Sequence, residues 1–192
     1  MHTVLITGSS SGIGAEFARI FARHGYALVV TSKNRVRLQK IATELESVSK
    51  TRVYAVPADL GTSRGATLLY NDIKRRGITI NVLINNAGTG DGGPFVTRSE
   101  QKMLTMIMLN VVSVTRLTRL FAAEMVEHGS GRILNVASVA GFFPGPLMAV
   151  YYATKAYIVS FSNSLHEELK GTGVTVTTLC PGPTATNFQK RA

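Results

Sequence analysis

Cysteine, tryptophan and acidic residues are scarce in this sequence. Of its 192 residues one is Cys and none is Trp, and 11 Asp and Glu stand against 21 Lys and Arg. The single thiol, Cys180, excludes an internal disulfide framework and fits a reducing compartment, so we expect a cytoplasmic protein. A hydrophobic fraction of 45% with 17% charged residues excludes the composition of disordered chains. The length predicts a single folded domain over residues 1–192.

Signals for export or membrane insertion are also lacking. The sequence opens with MHTVLITG, without the basic and apolar segments of a secretory signal. The longest uncharged run, residues 133–154, has the length of a membrane span, but Pro144-Gly145-Pro146 breaks it. We therefore expect a strand, a loop and a helix start in this run, and no membrane partner.

The net charge of +10 is dispersed along the chain. The longest basic stretch is Lys74-Arg75-Arg76, and no aromatic residues are interleaved with it for base stacking. We therefore interpret most of the cations as solvated helix faces and expect no nucleic-acid partner. A nucleic-acid binder remains the third functional hypothesis, which salt-dependent retention on DNA would test.

Strand-like and helix-like segments alternate along the chain, which predicts an α/β fold. The short β-rich runs are Val4–Thr7, Ala27–Thr31, Arg52–Val56, Asn81–Asn85, Arg132–Ala137 and Val174–Leu179. The helical patterns are Ile13–His24, Arg35–Ser49, Arg64–Arg76, Glu100–His128 and Tyr152–Leu169. Apolar strands joined by helical crossovers are typical of a single doubly wound parallel sheet with helices on both faces.

A glycine-rich turn connects the first strand to the first helix. It reads Thr7-Gly8-Ser9-Ser10-Ser11-Gly12-Ile13-Gly14, with the spacing G-x-x-x-G-x-G. Glycines let backbone N–H groups approach a ligand, and a helix N-terminus favours a pyrophosphate. No Lys follows to hold a γ-phosphate, which disfavours nucleoside triphosphates. Alone, the turn could equally be an ordinary glycine-rich connection.

Five further motifs follow this turn in order. They are Asp59-Leu60, Asn85-Asn86-Ala87-Gly88, Ser138, Tyr151-x-x-x-Lys155 and Pro181-Gly182. With the turn, they resemble the short-chain dehydrogenase/reductase family over essentially the whole chain. The resemblance implies a Rossmann-like domain that binds NAD(P)(H) and moves hydride between the cofactor and a small carbonyl or alcohol substrate.

The resemblance also implies the residues of a cofactor shell. They are Gly8, Ser10, Ser11, Gly12, Ile13, Gly14, Ser32, Lys33, Asp59, Leu60, Asn86, Ala87, Gly88, Tyr151, Lys155, Pro181, Gly182 and Thr184. Two of these have an alternative interpretation from local chemistry. Asp59 could cap a helix entered at residues 61–64, and Asn86 could only satisfy backbone groups of its turn.

The end of the second strand favours NADP(H) over NAD(H). A carboxylate there accepts the ribose 2′-OH of NAD, whereas a cation accommodates the 2′-phosphate of NADP. The sequence has Ser32 and Lys33 at this point, and no carboxylate between Glu16 and Glu44. The nearby Arg35 and Arg37 are interpreted as a solvated helix start.

Tyr151 and Lys155 are the predicted proton-transfer pair. Four residues apart, they share one face of a helix, whereas Tyr152 lies off that face. Lowering a phenol pKa by about 3 units requires about 4 kcal/mol, which one charge about 4 Å away supplies at an effective dielectric of about 20. We therefore expect Lys155 to lower the pKa of Tyr151 and to make it a general acid or base.

Two polar residues complete the predicted catalytic set. Ser138 closes the fifth strand and can donate a hydrogen bond to the substrate oxygen. Asn110 is an unfavourable choice inside the helix Glu100–His128, and the resemblance implies that it helps hold a water next to Lys155. No metal-ligand cluster is apparent, and we interpret Cys180 as a packed thiol.

The leading hypothesis is an NADP(H)-dependent oxidoreductase, and the alternative is a dinucleotide-sensing protein without turnover. The resemblance implies a seventh strand and a substrate-covering segment, whereas the sequence ends at Ala192. We expect these elements to belong to a longer chain, because the apolar strand Val174–Leu179 would otherwise be an unprotected edge. The resemblance implies a homodimer or homotetramer, in which the long helices could pair with copies of themselves.

Overall fold

A six-stranded parallel sheet forms the centre of the computed structural model, which describes residues 2–184. Its strands are β1 (Thr3–Thr7), β2 (Ala27–Thr31), β3 (Val53–Ala55), β4 (Val82–Asn85), β5 (Gly131–Val136) and β6 (Val174–Leu179). The strand order is β3-β2-β1-β4-β5-β6, and every pair is parallel. The predicted fold class, a doubly wound Rossmann-like sheet, is confirmed.

Helices cover both faces of this sheet. They are α1 (Gly12–Arg23), α2 (Arg35–Ser49), α3 (Gly65–Arg75), α4 (Glu100–Ile107), α5 (Ser113–Glu127) and α6 (Ala149–Glu168). Residues of α1 and α2 pack on one face against Val4, Ile6, Leu28 and Val30. Residues of α3, α5 and α6 pack on the other, because successive strand side chains point to opposite faces.

Three predicted helix boundaries were wrong. The segment predicted as one helix over Glu100–His128 is interrupted by a π-helix at Met108–Val112. The last helix begins at Ala149, three residues before the predicted Tyr152, and so includes Tyr151. The third helix begins at Gly65, because a turn that starts at Asp59 precedes it.

The segment 100–127 is also long and apolar enough to cross a membrane by length and composition, with a mean hydropathy of 1.3 over an 18-residue window. Leu117, Phe121 and Met125 of this segment lie in the core beside α3 and the sheet. Packing within the domain therefore accounts for these three apolar residues, whereas Leu104, Ile107 and Val126 of the same segment are exposed.

The strand order places a crevice between β1 and β4, where the chain reverses its direction of winding. Ligands of open α/β sheets bind outside the carboxyl ends of the strands at such a point. The segments after all six strands meet at this edge, and they carry the predicted site residues. Within the described residues 2–184, β6 lies at the edge of the sheet, and the expected seventh strand was assigned to a longer chain beyond Ala192.

Candidate active site

The glycine-rich turn and the turn after β4 lock together at the crevice. Asn86 donates its side-chain amide to the carbonyl of Thr7 at 2.8 Å, and the hydroxyl of Thr7 accepts from the backbone N–H groups of Asn86 and Ala87 at 2.9 Å each. A Cβ on Gly14 would lie 2.4 Å from both the Asn86 amide nitrogen and the Gly8 carbonyl oxygen. Gly8 itself has φ +68°, in the left-handed region. Only glycine fits these two positions.

The N-terminus of α1 opens into this cradle. Its N-cap residue, Ser11, makes no side-chain capping hydrogen bond, and the first turn has no acidic side chain. Free N–H groups and a positive helix end are suited to a phosphate. The structure therefore brings Ser10, Ser11, Gly12 and Ile13 to one surface, whereas the buried Ser9 bonds to the Thr31 carbonyl and holds the turn against β2.

The end of β2 presents a cation to solvent. Lys33 is exposed and follows Ser32, whose hydroxyl donates to the carbonyl of Asn34 at 3.3 Å. Asn34 caps α2 by accepting from the N–H of Arg37 at 2.9 Å. The Lys33 side chain therefore stands at the carboxyl end of β2, where the sequence predicts the 2′-phosphate contact.

Asp59 and Leu60 follow β3, and their predicted contact with a cofactor stays a prediction. The Asp59 carboxylate accepts from the N–H of Gly61 at 2.9 Å, which caps a turn and not the N-terminus of α3. That helix begins at Gly65, with no side-chain cap, so the predicted capping of a helix at residues 61–64 is wrong. The Leu60 side chain is buried in the core, which leaves its backbone as the part that a cofactor could reach.

Ser138 and Tyr151 meet at the end of β5. A side-chain hydrogen bond joins the Tyr151 phenol to the Ser138 hydroxyl. The same hydroxyl accepts from the N–H of Ala140 at 3.1 Å, and the backbone N–H of Val139 donates to the Pro181 carbonyl at 3.1 Å. The structure therefore brings together the serine, the tyrosine and the start of the Pro181-Gly182 segment. Thr184, at the end of this segment, is exposed.

Lys155 lies behind the tyrosine, buried on α6. Its Nζ donates to the carbonyl of Val136 at 2.9 Å and stands 5.9 Å from the centroid of the Tyr151 ring. Burial lowers the pKa of Lys155 to about 8 and raises the pKa of Tyr151, against which the Ser138 hydrogen bond acts. The predicted lowering of the Tyr151 pKa by Lys155 is therefore wrong for this structure, because burial outweighs the favourable contacts.

The buried lysine predicts an unusual pH dependence of stability. Below pH 8 Lys155 is charged in the folded and in the unfolded protein, and burial makes the charge unfavourable in the folded protein. Between pH 8 and the ordinary lysine pKa of 10.5, Lys155 holds its proton only in the unfolded protein. The free energy of unfolding therefore increases with pH between pH 8 and pH 10.5. We expect Lys155→Met to be more stable by about 1–3 kcal/mol at pH 7, with the difference shrinking towards pH 10.5.

Urea denaturation of the wild type and of Lys155→Met at pH 7, 8, 9 and 10 measures the difference in their free energies of unfolding. Other titrating groups are common to both proteins and cancel, except Cys180, whose pKa depends on the charge of Lys155; the comparison is therefore made with Cys180→Ser in both proteins. A stability difference that stays constant across the series would contradict the depressed pKa of Lys155.

Asn110 lies on the π-helix, buried beside the lysine. Its Oδ1 accepts from the N–H of Thr89 at 3.0 Å, and its Nδ2 donates to the Thr89 carbonyl at 2.9 Å. A Cβ on Gly88 would lie 3.4 Å from this Oδ1 and 3.7 Å from Lys155 Nζ. The Asn110 side chain is thus paired with the turn after β4, next to Lys155, and its link to a water stays a prediction.

Apolar side chains surround the mouth of this site. Exposed large side chains on the loop between Ser138 and α6 are Phe142, Phe143 and Leu147. Leu147 and the exposed Phe95 both line a small cleft of about 40 Å³, whose lining also includes three methionines and the ion pair of Asp91 with Arg98. Met106 also packs against Tyr151. We define Phe95, Phe142, Phe143 and Leu147 as the apolar rim.

The sequence analysis missed Thr7 and Thr154 as parts of the site. Thr7 directly precedes Gly8 in the glycine-rich turn, and its hydroxyl holds the turn after β4. Thr154 is buried on α6, where a small polar residue stands immediately before Lys155. That position within the motif was the available signal. Over residues 2–184, no group of three or more His, Cys, Asp and Glu could hold a metal ion.

Comparison with known proteins yields a consistent set of matches. A family model described as short chain dehydrogenase matches residues 2–192. A very-long-chain 3-oxoacyl-CoA reductase of Bos taurus is 34% identical over an alignment of 192 positions. This alignment covers 97% of this chain and 60% of the bovine protein. The chain therefore spans about three fifths of the length of this curated relative.

Solved structures match over most of the chain. A short-chain dehydrogenase from Sphingobium yanoikuyae in complex with NADPH is 38% identical, with a TM-score of 0.94 over 100% of this chain and 75% of that one. A bulky-bulky ketone specific alcohol dehydrogenase from Comamonas testosteroni is 37% identical, with a TM-score of 0.91 over 96% and 74%. A short-chain enzyme from Burkholderia phymatum in complex with NAD is 29% identical, with a TM-score of 0.92 over 99% and 68%.

Proposed function

Because the chain belongs to the short-chain dehydrogenase family, we propose that it interconverts a carbonyl compound and an alcohol with NADP(H), using Tyr151 as the general acid or base. The observation that carries this proposal is the meeting of Tyr151 and Ser138 through a hydrogen bond, with the buried Lys155 beside them. These groups come from β5 and α6, at the crevice where an open α/β sheet binds its ligand.

The cradle of Gly8, Gly14 and the N-terminus of α1 is suited to a pyrophosphate, because the uncapped, positive end of the helix has no acidic side chain in its first turn. Asp59, Asn86 and the Pro181-Gly182 segment line the same edge of the sheet. We propose that these residues hold a nicotinamide dinucleotide. When bound, that group supplies hydride to the carbonyl carbon or accepts it from the alcohol.

Protein side chains provide the rest of the chemistry. Ser138 donates a hydrogen bond to the carbonyl oxygen as negative charge develops there. Tyr151 transfers its phenolic proton to that oxygen in reduction and removes it in oxidation. Burial raises the pKa of the Tyr151 phenol, so the proton is present at neutral pH. Lys155 Nζ stands 5.9 Å from the centroid of this ring, beside the phenolate that remains.

The apolar rim supports a substrate with bulky apolar substituents. Phe142 and Leu147 are each more than half exposed, and no charged side chain stands between Ser138 and Tyr151 in the sequence. Apolar substituents bound there would remove this surface from water, at about 25 cal/mol per Å² buried. The names of the bovine and Comamonas relatives, which specify very-long-chain and bulky substrates, are consistent with this proposal.

The test is the oxidation of NADPH, followed spectrophotometrically, with a panel of ketones and aldehydes of increasing apolar size. We expect turnover that rises from acetone to aryl and long-chain ketones. Tight NADPH binding without turnover on any member of the panel would support a dinucleotide-sensing protein and refute the enzymatic proposal.

Lys33 is the residue on which the proposed preference for NADP(H) depends. A hydrogen bond to a charged group contributes about 1.5–3 kcal/mol, so we expect Lys33→Ala to weaken NADPH binding about 10- to 100-fold. NADH lacks the 2′-phosphate, and its affinity should change by less than about threefold. Fluorescence titration with both cofactors measures the two affinities.

The matched control for this variant is Arg37→Ala, which removes an exposed cation from the same helix start. We expect it to leave both affinities nearly unchanged. Equal losses for NADPH and NADH in Lys33→Ala would remove the basis for the NADP(H) preference.

We also propose a cytoplasmic homodimer or homotetramer. Exposed apolar residues on α4 and α6, such as Leu104, Ile107 and Tyr157, support association between copies. Sedimentation equilibrium measures the number of subunits.

A further inference from the structure

Thr154 connects two parts of the candidate active site through its hydroxyl. This hydroxyl donates to the carbonyl of Tyr151 at 2.7 Å and accepts from Asn110 Nδ2 at 3.1 Å. The residue is buried, with 3% of its surface exposed, so water does not compete for these bonds. Its place on α6 is between the tyrosine and the lysine of the proton-transfer pair.

The partner of Thr154, Asn110, has no spare hydrogen. An Asn amide carries two N–H donors, and here one goes to the Thr89 carbonyl and the other to Thr154. Its Oδ1 accepts from the Thr89 N–H. A continuous chain of hydrogen bonds therefore runs from the backbone of Thr89, after β4, through two buried side chains to the backbone of Tyr151.

We propose that Thr154 is a positioning residue of the reaction, whose hydroxyl holds the Tyr151 turn of α6 at a fixed distance from the Gly88-Thr89 turn. This inference rests on the proposed function. Lys155 Nζ lies on the same side of that turn, 3.7 Å from where a Cβ on Gly88 would stand. The hydrogen-bond chain thus sets both members of the proton-transfer pair against the turn that follows β4.

The physical consequence of losing the hydroxyl follows from the burial of Asn110. Its Nδ2 would have one hydrogen without an acceptor, and buried polar groups avoid that state by moving. Either Asn110 turns away from Thr89, or the first turn of α6 shifts towards it. Both changes misplace the Tyr151 phenol, and a displacement of about 1 Å at a reacting group can reduce the rate about 100-fold.

Two variants of near-equal size separate the hydroxyl from the shape of the side chain. Thr154→Val keeps the shape and removes the hydroxyl, whereas Thr154→Ser keeps the hydroxyl. With NADPH and a ketone that the wild type reduces, we expect Thr154→Val to lower kcat about 10- to 100-fold. KM and the NADPH Kd should stay within about threefold, and Thr154→Ser should keep kcat within about threefold.

Amide hydrogen exchange at Thr89, measured on the cofactor-free protein by NMR, tests the hydrogen-bond chain without turnover. Relative to the Leu5 amide in the central strand, exchange at Thr89 should be at least about tenfold faster in Thr154→Val and nearly unchanged in Thr154→Ser. If the wild type turns over no substrate, that result counts against the proposed function alone. The exchange measurement still tests the role of Thr154, because it requires no turnover.

Three results would overturn the inference. They are a kcat of Thr154→Val within twofold of wild type, an equal loss of kcat in Thr154→Ser, and equal exchange at Thr89 in all three proteins. An unfolded Thr154→Val protein would be recognised by its spectrum. In that case Thr154→Ala, which also removes the hydroxyl, replaces it with the same expected results.

Discussion

Tyr151→Phe is expected to lower kcat for carbonyl reduction by about 10²–10⁴-fold, the usual contribution of a positioned general acid. The substitution removes one oxygen from a side chain of which only 9% is exposed, so it leaves the packing against Met106 and Ala140 in place. Water cannot readily replace the proton donor, because the phenol is buried beside Ser138 and Lys155. The NADPH Kd should remain within about fivefold, since a single lost hydrogen bond contributes about 1 kcal/mol or less.

The neighbouring tyrosine provides the control. Tyr152 packs edge-on against Phe143, with ring centroids 5.7 Å apart, and a Cβ on Gly145 would lie 2.4 Å from its ring. Its role is therefore to support the loop, and Tyr152→Phe keeps that ring. We expect this variant to retain kcat. Single-turnover kinetics with NADPH measures both variants, and substantial activity in Tyr151→Phe would refute its assignment as the proton donor.

Gly14→Ala is expected to push apart the two turns that form the cradle, with a large effect on both stability and NADPH affinity. The added carbon would lie 2.4 Å from the Asn86 amide nitrogen and the Gly8 carbonyl oxygen, so the two locked turns must separate. Overpacking of this kind costs about 1–3 kcal/mol of stability. Because the Asn86 bond to Thr7 closes the cradle, we also expect NADPH affinity to fall at least about 10-fold.

Gly25→Ala is the matched control at the other end of α1. Gly25 has φ +76°, so an Ala there is strained, but its Cβ would meet nothing within 4 Å. We expect a stability loss of about 1 kcal/mol without a change in NADPH affinity. Urea denaturation and fluorescence titration measure the two quantities. Wild-type affinity in Gly14→Ala would contradict the role of this cradle in cofactor binding.

The sequence predicted the sheet well and the connections less well. All six strands lie within one or two residues of the predicted runs, because a buried parallel strand is a short, continuous apolar segment bounded by turns. The interruption of the helix at Met108–Val112 was not predicted. The hydroxyls of Ser113 and Thr115 bond there to the carbonyls of Leu109 and Val111, and such local competition with helical bonds has no distinctive period.

The candidate site was predicted in position but not in its electrostatics. Tyr151, Lys155 and Ser138 were identified from their spacing and order, and the structure brings them together. The predicted direction of the Tyr151 pKa shift was wrong, because the pKa depends on burial by Met106 and Ala140 from other segments. Similarly, the carboxylate of Asp59 caps a turn and not a helix. The sequence did not show that the helix begins only at Gly65.

By itself the sequence determined the α/β class, the order of the strands and helices along the chain, and the residues at the crevice, because hydrophobic period and motif spacing are local properties. Only the tertiary structure decided how those residues pair. Thr7 with Asn86, Asn110 with Thr89 and Thr154, and Lys155 with Val136 are separated by 19 to 79 residues along the chain. Hydrogen bonds over such separations, and the burial that sets the pKa values, exist only once the sheet has brought its strand ends together.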